Sequence, residues 1–212
     1  MSLFGWLGAG RKEAPAAAER LEIPLFPLKS VLFPGGTMAL RVFEQRYLDM
    51  AAERIKHEQP FGICLIRSGE EVGEAAEPHE VGTLAHIASW DMEVPGILQL
   101  GVRGGRRFRI VAREAADGLV RAEVVLLAEP PSVGIPEAQQ GLLPLLRKVA
   151  ADIGPERMPE PHDWNDAAWV GYRLTEVMPV QLLAKQKLLE LDDAVSRLEI
   201  LFRYLAQRGL VK

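Results

Sequence analysis

The first 130 residues consist of short apolar runs separated by turn residues, which is the pattern of strands rather than of long helices. Met38, Leu40 and Val42 alternate with smaller or polar neighbours, the period of a half-buried strand. Further strands are predicted at 61–66, 81–93, 97–103, 107–113 and 119–127. The turn pairs Pro95-Gly96 and Asp117-Gly118 join the last four runs into two hairpins. The pattern predicts about six strands in a small, partly closed sheet.

One stretch in this half has the helical period instead. The predicted helix spans 44–58 and ends at Gln59-Pro60, because proline cannot continue a helix. Its apolar face consists of Tyr47, Leu48, Ala51, Ala52 and Ile55.

After Pro130-Pro131 the apolar positions recur at the helical period to the end of the chain. Proline is tolerated in a first turn, and aspartate or asparagine side chains cap helix N-termini. Four helices are predicted, beginning at Ile135-Pro136, at Asp163 or Asn165, at Gln181, and at Asp192 or Asp193. The sequence therefore predicts an α+β fold, with strands before residue 130 and helices after it.

The composition is that of an ordinary globular protein, with 212 residues, 48% apolar and 25% charged. The formal charge of -4 counts against nonspecific nucleic-acid binding, because phosphate contacts need local positive charge. A single cysteine excludes an internal disulfide and a multi-thiolate metal site, and a reducing cytoplasm is the expected compartment. No apolar run approaches the roughly 20 residues of a membrane-spanning helix, so no membrane partner is expected.

Residues 1–20 are predicted to form a flexible tail. Leu3, Phe4, Trp6 and Leu7 are apolar but are interrupted by glycines, and an alanine- and proline-rich run follows them. The alternative is a short aromatic docking segment.

The sequence predicts no catalytic residue, metal or cofactor. It contains no G-x-x-x-x-G-K-[ST] loop for nucleotide phosphates, no G-x-S-x-G and no S-x-x-K. His79 and His86 are seven residues apart, which fits no zinc spacing. Cys64 lies within an apolar run and is expected in the core. A hydrolase with an unrecognised site is the remaining enzymatic alternative.

The basic side chains cluster in one predicted strand segment, which contains Arg103, Arg106, Arg107, Arg109 and Arg113. On a strand, the odd-numbered members would share one face. Arg103, Arg107 and Arg109 are candidate contacts for an anion, an acidic peptide or RNA. The alternative is a solvated face paired with the acidic loop 68–80, because exposed ion pairs are common and weak.

Four segments, in the same order along the chain, resemble the N-terminal domain of Lon proteases. They are IPLFPL and VLFPG at 23–35, VGT at 81–83, the spaced set Val102, Gly104, Arg107, Phe108 and Ile110, and the helical pieces MPV, KQ, LE and RLE between 178 and 199. Lys29-Ser30 stands where that family has an Arg-Asp pair. The resemblance extends from about Glu22 to Tyr204.

The resemblance implies a PUA-like β pseudobarrel at 21–130 followed by a helical bundle at 131–212. It also implies a non-catalytic protein that recognises exposed or unfolded protein segments, as an adaptor or holdase, because the motifs of the Lon ATPase and of its Ser–Lys dyad do not occur in this sequence. Its partners would be unfolded or partly folded proteins and a protease or chaperone. Association of the chain into a homo-oligomer is an alternative that the sequence does not exclude. The alternative is an RNA-binding PUA-like module that uses the arginine segment 103–113, although nucleic acid is not the expected partner.

A protein that recognises peptides needs an exposed apolar patch or an open strand edge. Phe33 and Pro34 fall at a predicted turn, and Trp90 and Met92 approach the Pro95-Gly96 hairpin tip. These four residues are the candidate peptide-binding positions. The alternative is that they are ordinary core or turn residues.

Overall fold

The structure, a computed structural model, describes residues 19–211, so almost all of the predicted tail lies outside the described residues. Within that range it contains one seven-stranded sheet and five helices. The strands are β1 (Arg20–Leu28), β2 (Thr37–Val42), β3 (Phe61–Ser68), β4 (Glu77–Pro78), β5 (Val81–Val94), β6 (Ile97–Ala116) and β7 (Leu119–Leu126). The helices are α1 (Gln45–His57), α2 (Leu142–Ile153), α3 (Ala167–Val177), α4 (Leu182–Glu190) and α5 (Ala194–Ala206). The expected α+β class is confirmed in this mixed form.

The strand pairing closes on itself. The order is β1-β7-β6-β5-β3, and β3 returns to pair in parallel with β1, so five strands form a ring. Two short strands stand outside the ring, β4 beside β3 and β2 beside β6. Ring closure leaves few free edges among these strands.

The two predicted strands at 97–103 and 107–113 form one continuous 20-residue strand, β6. The backbone passes through Gly104, whose N–H donates to the Gly36 carbonyl at 2.8 Å and whose carbonyl accepts from Gly35 at 2.8 Å. A Cβ at Gly104 would overlap the Phe33 carbonyl. The glycine therefore admits a close backbone approach and does not end the strand.

The single helix of the first half forms as predicted, but its buried face differs from the predicted one, because Met50 is buried and Ala52 is exposed. Tyr47, Met50 and Ala51 of α1 are buried against the apolar side chains of β2 and β6. Glu58 ends the helix in the left-handed conformation, with its N–H directed to the carbonyls of the last turn.

Two of the predicted helix starts need correction. Asp166, and not Asp163 or Asn165, caps α3, because its Oδ1 accepts from the Trp169 N–H at 2.6 Å. A single 3₁₀ turn occupies Glu137–Gln139, and α2 begins only at Leu142. Asp193 caps α5, as one of the two predicted alternatives.

The helices and the sheet share one hydrophobic core. Phe33, Leu65 and Val81 from the strand half pack with side chains of α2, α3 and α5. The ring of Phe33 lies 5.9 Å from that of Tyr172. The division near residue 130 stays a prediction, and the described chain crosses it between the end of β7 and the 3₁₀ turn.

Buried arginines fasten α4 and α5 to the sheet. Arg107 of β6 is 1% exposed, and its Nη1 donates to the carbonyls of Leu189 at 2.9 Å and Leu191 at 3.3 Å. Arg197 of α5 donates from Nε to the Leu188 carbonyl at 2.9 Å and from Nη2 to the Leu191 carbonyl. These carbonyls lie at the end of α4, where a helix has no internal donors left.

Replacing Phe33 with alanine should lower the free energy of unfolding by about 3–5 kcal/mol, the usual cost of truncating a buried phenylalanine. Phe43→Ala is the matched control, because Phe43 is half exposed and should shift stability little. Urea denaturation of both variants measures the difference. Equal stability of the two variants would contradict the burial of Phe33.

Arg107→Met should also destabilise the fold, by about 1–3 kcal/mol for each carbonyl left without a donor. Arg109→Met is the control, because Arg109 is exposed and makes no side-chain hydrogen bond within residues 19–211. Thermal melts followed by circular dichroism test the pair. A melting temperature of Arg107→Met equal to that of Arg109→Met would refute the anchoring role.

Candidate peptide-binding surface

The β5–β6 hairpin projects from the ring and exposes apolar side chains near its tip. Beyond Ala85, β5 pairs only with β6, and β2 lies on the other side of β6. Trp90 is 59% exposed and Met92 45%, and Val94 is similarly uncovered. The predicted exposure of Trp90 and Met92 is therefore observed. Trp90 and Met92, two residues apart on β5, form an apolar surface that water covers in the isolated chain. Val94 follows a register shift that separates it from their alternation.

A hollow of about 370 Å³ borders Trp90. Its walls are the end of α1, including Ile55 and Gln59, and the β5 residues His86, Ile87 and Ala88. An apolar side chain that packed on Trp90 would also reach this hollow.

A larger cleft of about 810 Å³ separates the three-stranded arm formed by β2, β6 and β5 from the helices. One wall comes from β2, β5, β6 and the segment 30–32, and the other from the ends of α2 and α3, the start of α4 and the connection after α2. The strand wall is flat because Ala39, Gly101 and Ser89 lie side by side across three strands. A Cβ at Gly101 would lie 2.5 Å from the Ser89 hydroxyl, so a larger residue there would displace the Ser89 side chain.

A buried ion pair stands at one side of this cleft. Glu176 lines the cleft and pairs with Arg173 at 3.1 Å, and Arg173 donates to the Pro34 carbonyl at 2.7 Å. A Cβ at Gly36 would overlap the Glu176 carboxylate, so glycine is needed for this approach. Burial raises the pKa of Glu176 to about 7, and Arg173 and Lys185 offset part of that rise. Burial also lowers the pKa of Arg173.

Phe33 cannot belong to a binding surface in this structure, which corrects the expectation of exposure. Its side chain is 0% exposed, because α3 covers the turn that the sequence pattern left open. Pro34 is half-buried, and its carbonyl is already used by Arg173. Of the four candidates, Trp90 and Met92 remain available.

The prediction that the arginines share an exposed face is wrong at Arg107. This residue is buried between the sheet and the helices, where it donates to the carbonyls at the end of α4. Arg103 and Arg109 are exposed. Arg113 pairs with Glu77 at 2.7 Å, as the acidic-loop alternative predicts for that residue. The cation set available to an anion is therefore smaller than the sequence indicated.

Cys64 is buried, as predicted, and burial raises the pKa of its thiol. Within residues 19–211, no three His, Cys, Asp or Glu side chains are grouped as metal ligands. No helix in that range is both long and apolar enough to cross a bilayer.

Comparison with known proteins identifies the class of this mixed fold with its exposed apolar hairpin and open cleft. The family described as the ATP-dependent protease La (LON) substrate-binding domain matches residues 22–207. The chain belongs to this family of Lon substrate-binding domains. The sequence resemblance to Lon N-terminal domains is thereby confirmed.

Solved structures agree with the family assignment. A Lon N-terminal domain protein from Xanthomonas campestris is 35% identical, with a TM-score of 0.73 over 87% of this chain and 98% of its own. The N-terminal domain of a Mycobacterium avium complex Lon protease is 18% identical, with a TM-score of 0.61 over 88% and 98%, and shows the fold alone.

The curated relatives are much longer proteins. Lon protease 2 of Herpetosiphon aurantiacus is 28% identical over 202 residues, which cover 91% of this chain and 24% of that protein. Lon protease of Escherichia coli is 27% identical over 199 residues, covering 88% and 25%. The chain thus spans about a quarter of the length of these relatives.

The raised pKa of Glu176 predicts a pH-dependent stability. A carboxyl whose folded pKa of about 7 exceeds its unfolded value stabilises the fold when protonated, and this contribution is lost as pH rises through 7. The melting temperature of Glu176→Gln relative to the unchanged chain should therefore increase between pH 5 and pH 8. Thermal melts of both proteins across that range measure the difference in melting temperature, and groups that titrate alike in both proteins cancel from it. A difference that stays constant or falls with pH would contradict the raised pKa of Glu176.

Proposed function

We propose that this chain holds exposed apolar segments of other proteins without cleaving them, as an adaptor or holdase. The observation that carries the proposal is the uncovered apolar patch of Trp90 and Met92 on the projecting hairpin. Membership of a substrate-binding family supports the same role. The clients are unfolded or partly folded proteins, passed on to a protease or chaperone.

The patch suits a client of variable sequence. Burying apolar surface contributes roughly 25 cal/mol per Å² without directional requirements, so different apolar side chains can replace one another on the indole ring. Met92 adds an unbranched, adaptable side chain beside it. The hollow at the end of α1 offers a second contact for the same segment.

The motifs of the sequence and the burial of its one thiol favour binding without turnover. The sequence has no nucleotide loop and no activated nucleophile motif, and Cys64, its one thiol, is buried with its pKa raised. A reducing cytoplasm suits this unpaired thiol. The closed ring of strands supports a PUA-like pseudobarrel, with the helices after residue 130 as its bundle. RNA binding is the weaker candidate, because Arg107 is committed to the helix junction.

Trp90→Ser should weaken binding of a reduced, carboxymethylated client protein at least tenfold, because the indole supplies the largest apolar area of the patch. The melting temperature should stay nearly unchanged, since the side chain is 59% exposed. Fluorescence anisotropy of the labelled client measures affinity.

Val111→Ser is the matched control, because Val111 is as exposed as Trp90 but lies in the part of β6 that pairs with β7. It should bind the client normally. Equal affinity of the two variants, with intact folds, would remove the hairpin from the binding surface.

A further inference from the structure

The outer edge of β2 is unpaired and regular. The Gly104 N–H donates to the Gly36 carbonyl at 2.8 Å, which continues the β2–β6 ladder and sets its alternation. Residues 38, 40 and 42 therefore bond to β6, and the N–H and carbonyl groups of Thr37, Ala39 and Arg41 face the other way. No other strand pairs with β2, and no further backbone hydrogen bond within residues 19–211 uses these groups.

This edge lacks the features that usually blunt a free strand edge. Natural edges are interrupted by bulges, prolines or several charges. The β2–β6 register runs without a shift from Thr37 to Val42, and Arg41 is the only charged residue in β2. The free edge of β5 differs, because its register with β6 shifts twice beyond Ala85 and it carries Asp91 and Glu93.

The β2 edge opens into the cleft between the arm and the helices. Thr37, Met38 and Ala39 line that cleft, opposite Ile153 and Leu182 of the helices. A strand added to β2 would therefore place alternate side chains into the cleft between the strands and the helices. The small residues of the neighbouring strands leave that space free.

The charged side chains that line the cleft are balanced in number, and Arg103 adds a positive charge beside it, although the whole chain is acidic. Arg157 and Lys185 line it, and Arg103 lies directly across the ladder from Thr37. None of these three cations forms a salt bridge with a residue of the described range 19–211. Of the two carboxylates that line the cleft, Glu176 is already paired with Arg173, which leaves Glu156.

We propose that the β2 edge binds an extended segment of a client protein by strand addition, and that the segment carries an aspartate or glutamate directed to Arg103 and Arg157. This inference rests on the proposed function, because the occupant is a client chain. Backbone hydrogen bonds to residues 37–41 supply affinity that does not depend on sequence, and the cations select acidic segments. At about 3.3 Å per residue, the edge from Thr37 to Arg41 can pair with roughly five residues of the client.

The test uses a fluorescein-labelled ten-residue peptide of alternating valine and threonine with two central glutamates, and a twin with two lysines in their place. The glutamate peptide should bind at least tenfold more tightly at low salt. Ala39→Pro should weaken it tenfold or more, because proline removes an outward N–H and leaves the bonds of 38 and 40 to β6. Ala39→Ser keeps that N–H and should bind as the unchanged chain does.

A second variant keeps the test decisive if Ala39→Pro lowers the melting temperature. Arg103→Ala with Arg157→Ala should abolish the preference for glutamate over lysine without changing the fold. Persistence of the preference in that double variant, or full affinity in a folded Ala39→Pro protein, would overturn the inference.

Two other occupants of the edge would also overturn it. Phe4→Ser with Trp6→Ser would raise peptide affinity if the chain's own first residues filled the cleft. Sedimentation would show a dimer lost in Ala39→Pro if a second copy did so. The carboxymethylated client separates this inference from the proposed function: Trp90-dependent binding of that client, retained in Ala39→Pro, would refute strand addition alone, whereas no binding to the unchanged chain would refute the proposed function.

Discussion

The structure depends on buried guanidinium groups that supply donors to main-chain carbonyls between the sheet and the helices. Arg107 and Arg197 converge on the end of α4, where the carbonyls of Leu188, Leu189 and Leu191 have no donors within the helix. Burying a cation is costly unless it is paired or hydrogen-bonded, so moving either side away would leave buried charge and carbonyls unpaired. The end of α4 is consequently held to β6 of the ring and to α5.

The segments that carry the family resemblance meet at this same junction. Gln186 donates to the Val81 carbonyl at 2.9 Å, which joins the KQ segment to the VGT segment. Arg107 donates to the carbonyl of Leu189 in the LE segment. Arg197 of the RLE segment donates to the carbonyls of Leu188 and Leu191, on either side of LE. The shared motifs therefore encode how strands and helices fit together. That explains why they indicated the fold across nearly the whole chain and indicated no binding residue.

Local patterns predicted what local physics determines. The two hairpin turns, α1 and the cap of α5 depend on turn residues, apolar period and side chains a few positions away. The turns and the helix formed where expected, and Asp193 is one of the two predicted caps. Phe33 and Arg107 depend on distant partners: Arg173 reaches the Pro34 carbonyl across 139 residues and Arg107 reaches Leu189 across 82. No period reports such contacts, so burial at these positions and the cleft itself could not be predicted. The small residues 39, 89 and 101 are unremarkable until the strand register places them side by side.

A fixed junction also constrains how the proposed binding of varied clients would occur. Because the helices are held in place by buried charge, binding has to use surfaces that exist before the client arrives. The hairpin patch and the β2 edge are two such surfaces, on the same three-stranded arm, and their chemistries differ. Apolar side chains on Trp90 tolerate varied sequence because the hydrophobic contribution is not directional, and a strand edge tolerates varied sequence because every residue except proline offers the same backbone groups. Under the proposed function, an arm with both surfaces would hold an unfolded segment without reading its full sequence, and the cations beside Thr37 would be the part of the cleft that discriminates among clients.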